Sequence, residues 1–335
     1  MSIVDTFKSR IQGAKRIAIT THVIPDADGI GSEISLCLAL KQLGYEAACV
    51  NDEPLPMRYR YMDPDSVVHG CDEFLSHPLS NPDLWIVVDT NTVDRVAVAL
   101  QPLIHAKKNV LFIDHHPAPH LEPGHCVSTA AAATGQLVGE IIEGMGLKFD
   151  KRLALPLYTA IIIDTSSFRY PNVTGSTHTL VGKLMNTGIS PGEAYNGIYG
   201  AKKIEHMHLL GTILESARAS SNGEVAWIDL SKKQIDRFSS DIEDTHAFIN
   251  HLLILDNIKV AIMFRDDGDS LKMSLRSAGD WDVGHIAKQL GGGGHSHSAA
   301  TLIKKTASDD TAKIIAQTIA KVEQILEEMK QAQLR

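Results

Sequence analysis

Residues 15–44 read KRIAITTHVIPDADGIGSEISLCLALKQLG, and this stretch decides the fold class of the chain. It begins with a short apolar run rich in β-branched residues and passes through a loop that contains Pro25 and Gly29. It then continues with apolar residues at helical spacing, which end at Gly44. These features predict a strand, a loop and a helix in succession, the opening unit of an α/β domain.

The alternation of apolar runs and helical stretches continues further along the chain. AACV at 47–50, LWIVV at 84–88 and VLFI at 110–113 are nearly continuous apolar runs. Such runs are typical of parallel strands that are covered on both faces. Helices are predicted over 93–105 and 135–143. We therefore expect a doubly wound α/β domain with a mainly parallel sheet over residues 1–190.

The second part of the chain has a different pattern. A polar helical stretch at 191–220 ends in a segment rich in serine, asparagine and glycine, and we interpret it as a helical linker. Strand-like runs follow, and two of them are joined by the hairpin signal Asp267–Gly268. We predict a smaller α+β domain with a mixed sheet over 221–335, and an active site in the cleft between the two domains.

Composition excludes several classes of protein. The chain has 335 residues with 32 basic and 40 acidic side chains and a formal charge of −8, so it has no surplus of cations for wrapping duplex DNA. No apolar run reaches the ~18–20 residues that span a bilayer. The N-terminus resembles no signal peptide, and we expect a cytoplasmic protein. Four widely spaced cysteines are expected to be buried, reduced thiols: Cys37, Cys49, Cys71 and Cys126.

Aspartates and histidines follow the predicted strands at the points where they end. Ligands of open α/β sheets bind beyond the carboxyl ends of the strands, so these side chains are expected to converge on one edge. Taken singly, each aspartate could equally cap a helix or form a turn. The residues concerned are His22, Asp26, Asp28, Asp89, Asp114, His115, His116 and, at the end of the apolar run AIII, Asp164.

The charge of this group points to divalent metal ions. Four aspartates would bring a charge of −4, which two divalent ions would neutralise. Carboxylate and imidazole ligands without a thiolate favour Mn²⁺, with Mg²⁺ or Co²⁺ as alternatives, over structural zinc. Two such ions can generate a hydroxide nucleophile and clamp the attacking and leaving oxygens of a phosphate ester. The sequence therefore predicts metal-dependent phosphoester hydrolysis.

The order of four motifs resembles that of the DHH phosphoesterase superfamily. The motifs are HVIPDADG at 22–29, VVDT at 87–90, DHH at 114–116 and IIIDT at 161–165. Downstream, SLRS at 274–277 and GGGGH at 291–295 resemble the DHH-associated C-terminal domain of the nanoRNase and pAp-phosphatase branch. The resemblance covers residues from about 15 to 304.

The resemblance implies a role for each matching residue. His22 and Asp26 would hold one metal ion and Asp89 would bridge to the second. That second ion would also be held by a further set: Asp28, His115 and Asp164. Asp114 would lie just outside and orient His115 or the attacking water. His116 is our candidate for protonating the leaving 3′ oxygen or stabilising charge on the phosphate.

The resemblance also assigns substrate contacts to the second domain. It implies that Arg276 and the glycine loop grip the terminal phosphate of the substrate, because successive backbone N–H groups form an anion-binding nest. The residues assigned are Arg276, Gly293, Gly294 and His295. The chain departs from the family pattern at Ser298 and Ala300, which could reshape the phosphate pocket. His297 has no family role, and we expect it to be solvated.

A short substrate suits a mildly acidic protein with few aromatic residues for stacking along a strand. We expect hydrolysis of 5′-phosphorylated dinucleotides such as pGpG or pApA to mononucleotides. Alternatives are a pAp phosphatase, a cyclic-dinucleotide phosphodiesterase and a nucleotide or metal sensor without turnover. A family II pyrophosphatase shares the metal motifs but lacks the glycine and histidine loop. The family also suggests a homodimer.

Overall fold

The computed structural model describes residues 2–107, 109–118, 121–200, 203–238, 243–294, 296–306 and 309–333. The chain divides into two compact units near residue 201. The stretch 191–220, interpreted above as a linker, contains one helix of the first unit and one of the second.

The first unit is built on a parallel six-stranded sheet in the order β3-β2-β1-β4-β5-β6. The strand order reverses between β1 and β4, which makes their carboxyl ends the expected ligand edge. The strands are β1 Arg16–Thr20, β2 Glu46–Asn51, β3 Val68–Gly70, β4 Leu84–Val88, β5 Val110–Asp114 and β6 Cys126–Val127. The helices are α1 Ile3–Ile11, α2 Ala27–Gln42, α3 Cys71–Phe74, α4 Gln101–Ala106, α5 Thr134–Gly144, α6 Lys151–Asp164, α7 Gly175–Met185 and α8 Pro191–Tyr199.

Helix α2 lies at the centre of this unit and is buried along almost its whole length. Its apolar residues belong to one core with the inner faces of the sheet and α6. The two helices approach closely at Gly31, where a Cβ atom would lie 2.3 Å from the carbonyl oxygen of Pro156. Glycine is therefore required at this position, and the close packing fixes α2 against the helix that ends in Asp164.

Glu33 is a fully buried carboxyl group on α2. Asn51 Nδ2 donates a hydrogen bond of 2.6 Å to its Oε1, while Glu33 Oε2 and Asn51 Oδ1 have no hydrogen-bond partner among the described residues. Burial raises the pKa of Glu33 well above its ordinary value, and the Asn51 hydrogen bond opposes the shift only in part. The folded chain therefore retains a proton that the unfolded chain releases.

From the buried pair Glu33 and Asn51 we predict a contribution to the free energy of unfolding that decreases as pH rises. From the ordinary pKa of 4.5 upward, the unfolded state ionises while folded Glu33 stays neutral, which favours unfolding. Glu33→Gln is expected to raise the free energy of unfolding by about 1–3 kcal/mol at pH 8, because glutamine releases no proton when the protein unfolds. Thermal unfolding at pH 5 and pH 8 measures the effect, with exposed Glu46→Gln as the control. An equal gain at both pH values would contradict the prediction.

The second unit contains a mixed six-stranded sheet in the order β11-β12-β10-β9-β8-β7, in which β8 and β9 are parallel and the other pairs are antiparallel. Its strands are β7 Arg218–Ala219, β8 Val225–Ser231, β9 Val260–Asp266, β10 Ser270–Ser277, β11 Gly293–Gly294 and β12 Ser298–Lys304. Its helices are α9 Ile204–Glu215, α10 Lys232–Arg237, α11 Val283–Gln289 and α12 Thr311–Gln333, with a 3₁₀ segment at Glu243–Ile254. Both predicted sheet types are confirmed.

Other expectations from the sequence have mixed outcomes. The four cysteines are buried and free, as predicted. The helix expected over 93–105 is instead a 3₁₀ turn at Val93–Arg95 and the short helix α4, which begins one residue before Pro102, where proline is well tolerated. Among the described residues, no helix is both long and apolar enough to cross a bilayer.

Candidate metal centre

The candidate site lies at the carboxyl ends of β1, β4 and β5. Asp89 directly follows β4, and its backbone takes a φ of 60°, in the left-handed region. This conformation costs a non-glycine residue roughly 1–2 kcal/mol, and such strain is common at functional sites. The structure therefore turns the chain sharply at the residue that the sequence places at the centre of the site.

Six of the predicted site residues form two neighbouring groups of possible ligands. Within each group, one ligand atom from every residue lies within 4.8 Å of the others. The groups are His22 with Asp26 and Asp89, and Asp28 with His115 and Asp164. His115 Nε2 lies 3.9 Å from Asp89 Oδ1, so Asp89 stands between the two groups. A third grouping joins Asp89 and His115 to His116.

In the first group, local hydrogen bonds orient the ligand atoms. His22 Nδ1 lies 2.9 Å from the carbonyl oxygen of Val23, and its Nε2 lies 3.4 Å from Asp89 Oδ2. Donation from Nδ1 to that carbonyl leaves Nε2 as the ligating nitrogen. Asp26 is the N-cap of α2 and accepts hydrogen bonds from the backbone N–H groups of Asp28 and Gly29 through Oδ1. Asp26 can therefore cap the helix through Oδ1 and ligate a cation through Oδ2.

In the second group, the N-terminus of α5 holds Asp28. The backbone N–H groups of Thr134 and Gly135 each donate to this fully buried carboxylate at 2.8 Å, one to each oxygen. Helix N-termini stabilise negative charge. A Cβ atom at Gly135 would lie 2.6 Å from Ala160 Cβ, so the close approach of α5 to α6 requires glycine.

The remaining contacts connect the two groups. His115 Nε2 lies 3.1 Å from Asp164 Oδ2 and 4.0 Å from Asp28 Oδ2. The hydroxyl group of Thr134 donates to Asp89 Oδ1 at 3.0 Å. Thr134 therefore contacts one carboxylate of each group, through its backbone and its side chain.

The electrostatics of the site favour bound positive charge. Burial, reinforced by the charges of Asp89 and Asp164, raises the pKa of Asp28 well above its ordinary value. Burial also raises the pKa of Asp164 to about 6. Burial opposes protonation of His22, but the hydrogen bond and charge of Asp89 raise its pKa to about 9. Burial likewise opposes ionisation of Asp89, yet His22 and His116 hold its pKa below the ordinary value.

The donor set fits divalent metal ions. Both groups combine carboxylate oxygens with imidazole nitrogens and contain no thiolate, a set that suits Mn²⁺, Mg²⁺ or Co²⁺. Crowded carboxylates that raise one another's pKa are stabilised by a cation between them. The chemistry of the residues thus agrees with a two-ion centre.

Asp114 and His116 lie beside these groups. Asp114 is fully buried, and its Oδ1 lies 2.5 Å from His116 Nδ1. Its Oδ2 accepts a hydrogen bond of 2.6 Å from Asn91 Nδ2. Burial opposes protonation of His116, but the Asp114 hydrogen bond and the Asp89 charge raise its pKa. Asp114 therefore contacts the second histidine of the DHH motif.

Three residues around the site were missed by the sequence analysis: Asn91, Thr134 and Gly135. Asn91 lies two residues after Asp89, where an amide resembles an ordinary turn residue. Thr134 and Gly135 lie in the small-residue segment STAAAATG, which carries no charge. Thr134 and Gly135 contact Asp28 through backbone N–H groups, which no side-chain pattern in the sequence predicts.

The predicted substrate contacts of the second unit lie on β10 and the glycine loop. Leu271, Met273 and Leu275 belong to the core of this unit, whereas Lys272 and Arg276 are half-buried. The other assigned residues are the exposed strand β11, which contains Gly293 and Gly294, and His295, which is outside the described residues.

The expectation for His297 is wrong. Its ring is half-buried rather than solvated, and its Nδ1 lies 2.8 Å from Ser277 Oγ. The backbone N–H group of Ser277 also donates to the carbonyl oxygen of His297. The loop is therefore folded against the end of β10, which a polar sequence alone does not reveal.

Comparisons with known proteins agree with the motifs. A protein of Thermus thermophilus named bifunctional oligoribonuclease and PAP phosphatase NrnA is 28% identical over 91% of this chain and 88% of its own length. The protein of that name from Bacillus subtilis is 27% identical over 83% of this chain and 86% of its own length. A crystal structure of an exopolyphosphatase-related protein from Bacteroides fragilis has the same fold, with a TM-score of 0.85 and 23% identity over 99% of this chain and 98% of that one.

Two family models match successive parts of the chain. The model of the DHH family N-terminal domain matches residues 16–161, and the model of the DHHA1 domain matches residues 234–331. The predicted resemblance is thereby confirmed for both parts. The chain belongs to the DHH family of phosphoesterases and carries a DHHA1 domain after its DHH domain.

Proposed function

We propose that this chain is a phosphodiesterase that depends on two divalent metal ions, with Mn²⁺ favoured, and hydrolyses short 5′-phosphorylated oligoribonucleotides. Dinucleotides such as pGpG and pApA are the expected best substrates. The observation that carries the proposal is the pair of ligand groups at the sheet edge with Asp89 between them. The names of the relatives, which include oligoribonuclease, support the substrate class.

Each residue of the centre has a proposed part. His22 and Asp26 would hold one ion, Asp89 would contribute to both, and the second ion would be held by Asp28, His115 and Asp164. Bound divalent ions activate water and stabilise negative charge on the phosphate. Water adds to the phosphorus of the internucleotide phosphate, and the bond to the leaving 3′ oxygen breaks. Each dinucleotide thus consumes one water and yields two 5′-mononucleotides.

The proton for the leaving oxygen is proposed to come from His116. Because Nδ1 of His116 faces Asp114, Nε2 is the nitrogen that can exchange a proton with the substrate. Asp114 orients the ring and stabilises its protonated form. The DHHA1 domain is proposed to bind the terminal phosphate of the substrate through Arg276, Gly293, Gly294 and His295.

Parallel assays of purified protein with Mn²⁺ test this function. The substrates are pGpG, pApA, pAp, a cyclic dinucleotide, pyrophosphate and a ladder of oligoribonucleotides from two to seven residues. We expect the dinucleotides to be converted fastest, with products confirmed as mononucleotides, and the Asp89→Asn variant to be about 10³-fold slower. Rates that rise with chain length, or hydrolysis of pyrophosphate alone, would overturn the proposal.

A second candidate function is the removal of the 3′ phosphate from pAp. The names of both relatives support it, since each combines oligoribonuclease with PAP phosphatase. The same two ligand groups can serve either ester. Turnover of pAp without turnover of dinucleotides would replace the first candidate by this one, and nucleotide binding without any turnover would favour a sensor.

A further inference from the structure

We propose that Asn91 is a positioning residue, whose side-chain amide fixes the carboxylate of Asp114 and, through it, the ring of His116. The inference rests on the proposed function, because it concerns the residue that is proposed to protonate the leaving oxygen. Asn91 belongs to none of the ligand groups, and its part is distinct from metal binding.

The two oxygens of Asp114 have different neighbours. Asn91 Nδ2 donates to Oδ2 at 2.6 Å, and His116 Nδ1 lies 2.5 Å from Oδ1. The donor from Asn91 follows β4, whereas Asp114 ends β5, so the hydrogen bond joins the ends of two adjacent strands. A carboxylate held at one oxygen can rotate about its Cβ–Cγ bond. The second donor, from a separate strand end, fixes the plane of the carboxylate.

Burial makes this contact consequential. Asp114 has an exposed fraction of 0%, so water cannot readily replace a lost donor. An unsatisfied buried acceptor is unfavourable, and Asp114 would reorient to regain a partner. His116 would then lose the fixed acceptor for Nδ1, and with it the ring orientation that turns Nε2 away from Asp114.

Asn91 also restrains the backbone beside His116. The same Nδ2 atom lies 3.3 Å from the carbonyl oxygen of Pro117, the residue after His116. One amide group therefore contacts the segment on both sides of the histidine. This arrangement suits a residue that orients a ring, since positions next to a catalytic group need accuracy of about 0.5 Å.

Two substitutions separate a hydrogen-bonding role from simple space filling. Asn91→Asp keeps the shape but removes the donor and places a second carboxylate against Asp114. Asn91→Ala removes both shape and donor without adding charge. If the amide positions Asp114, kcat for the best phosphodiester substrate falls about 100-fold in the aspartate variant and about 10-fold in the alanine variant. KM should change less than threefold in both.

Two controls distinguish the loss of the Asn91 hydrogen bond from other effects of substitution. Asn109→Asp makes the same change at an exposed asparagine and should leave kcat unchanged. Thermal unfolding confirms that each variant is folded. If Asn91 only fills space, the alanine variant loses more activity than the aspartate variant, and that ranking would overturn the proposal. Equal losses of kcat in the Asn91→Asp and Asn91→Ala variants, together with a large rise in KM, would also overturn it.

A readout independent of activity separates this inference from the proposed function. In ¹⁵N-histidine-labelled protein with Mg²⁺, the His116 signals, assigned with His116→Gln, should include a downfield Nδ1–H proton that is hydrogen-bonded to Asp114 and exchanges slowly with water. In the Asn91→Ala variant this proton should shift upfield and exchange faster with water, because Asp114 no longer has a fixed position. If the wild-type protein cleaves no phosphoester, the proposed function fails, but this spectrum still tests Asn91. An unchanged Nδ1–H signal in the variant would contradict the inference.

Discussion

Asp89→Asn is expected to lower phosphoester turnover by about 10³-fold, which corresponds to about 4 kcal/mol of lost transition-state stabilisation. Asp89 belongs to the first ligand group with His22, and its Oδ1 lies 3.9 Å from His115 Nε2 of the second group. Asparagine has nearly the same shape but no charge, and its amide nitrogen cannot ligate an ion. Both ions should therefore bind more weakly. Steady-state turnover of a dinucleotide at saturating Mn²⁺ measures the effect.

A matched substitution controls for the loss of a carboxylate in the same segment. Asp94 lies five residues downstream, is exposed, and belongs to none of the ligand groups of the described residues. Asp94→Asn should retain the wild-type rate. If Asp89→Asn keeps more than a tenth of wild-type turnover, Asp89 is not shared between two ions.

Removal of divalent metal is expected to abolish turnover and to lower the thermal stability of the protein. Without a cation, the closely spaced carboxylates of Asp28, Asp89 and Asp164 repel one another, as the raised pKa of Asp28 indicates. A ligand at 100 times its Kd stabilises the folded state by about 2.7 kcal/mol, which for a domain of this size raises Tm by about 5–10 °C. Dialysis against a chelator, followed by titration with Mn²⁺, measures activity and Tm together.

Two cap residues provide matched variants for this experiment. Asp26→Asn retains a good N-cap for α2 but weakens the first ligand group, so the Mn²⁺-induced rise in Tm should shrink. Asp150→Asn makes the same change at the N-cap of α6, away from the ligand groups, and should leave that rise unchanged. An equal rise in both variants would show that Mn²⁺ stabilises the protein elsewhere.

Much of the fold could be predicted because its signals are local. The apolar runs at 84–88 and 110–113 are continuous, as parallel strands require, and the D-G turn joins β9 to β10. The aspartates and histidines follow directly after strands, so the convergence of His22, Asp89 and His115 on one edge could be expected from topology. Their role as metal ligands stays a prediction.

The parts that escaped prediction depend on packing and on backbone groups. The cradle for Asp28 consists of N–H groups at the start of α5, and any residue type supplies such groups. The burial of Glu33 within an apolar helix depends on how α2 is surrounded, and a glutamate in a helix ordinarily indicates a solvated face. The placement of His297 depends on how its loop folds against β10, which has no signature in the sequence.

Isothermal titration of the chelator-treated protein with Mn²⁺ tests the central claim most directly, because it counts ions rather than inferring them from activity. The account predicts two ions per chain for the wild-type protein and a loss of at least one in the Asp89→Asn variant at the same metal concentration. Binding of one ion or none by the wild-type protein, or of two ions by the variant with unchanged affinity, would contradict it.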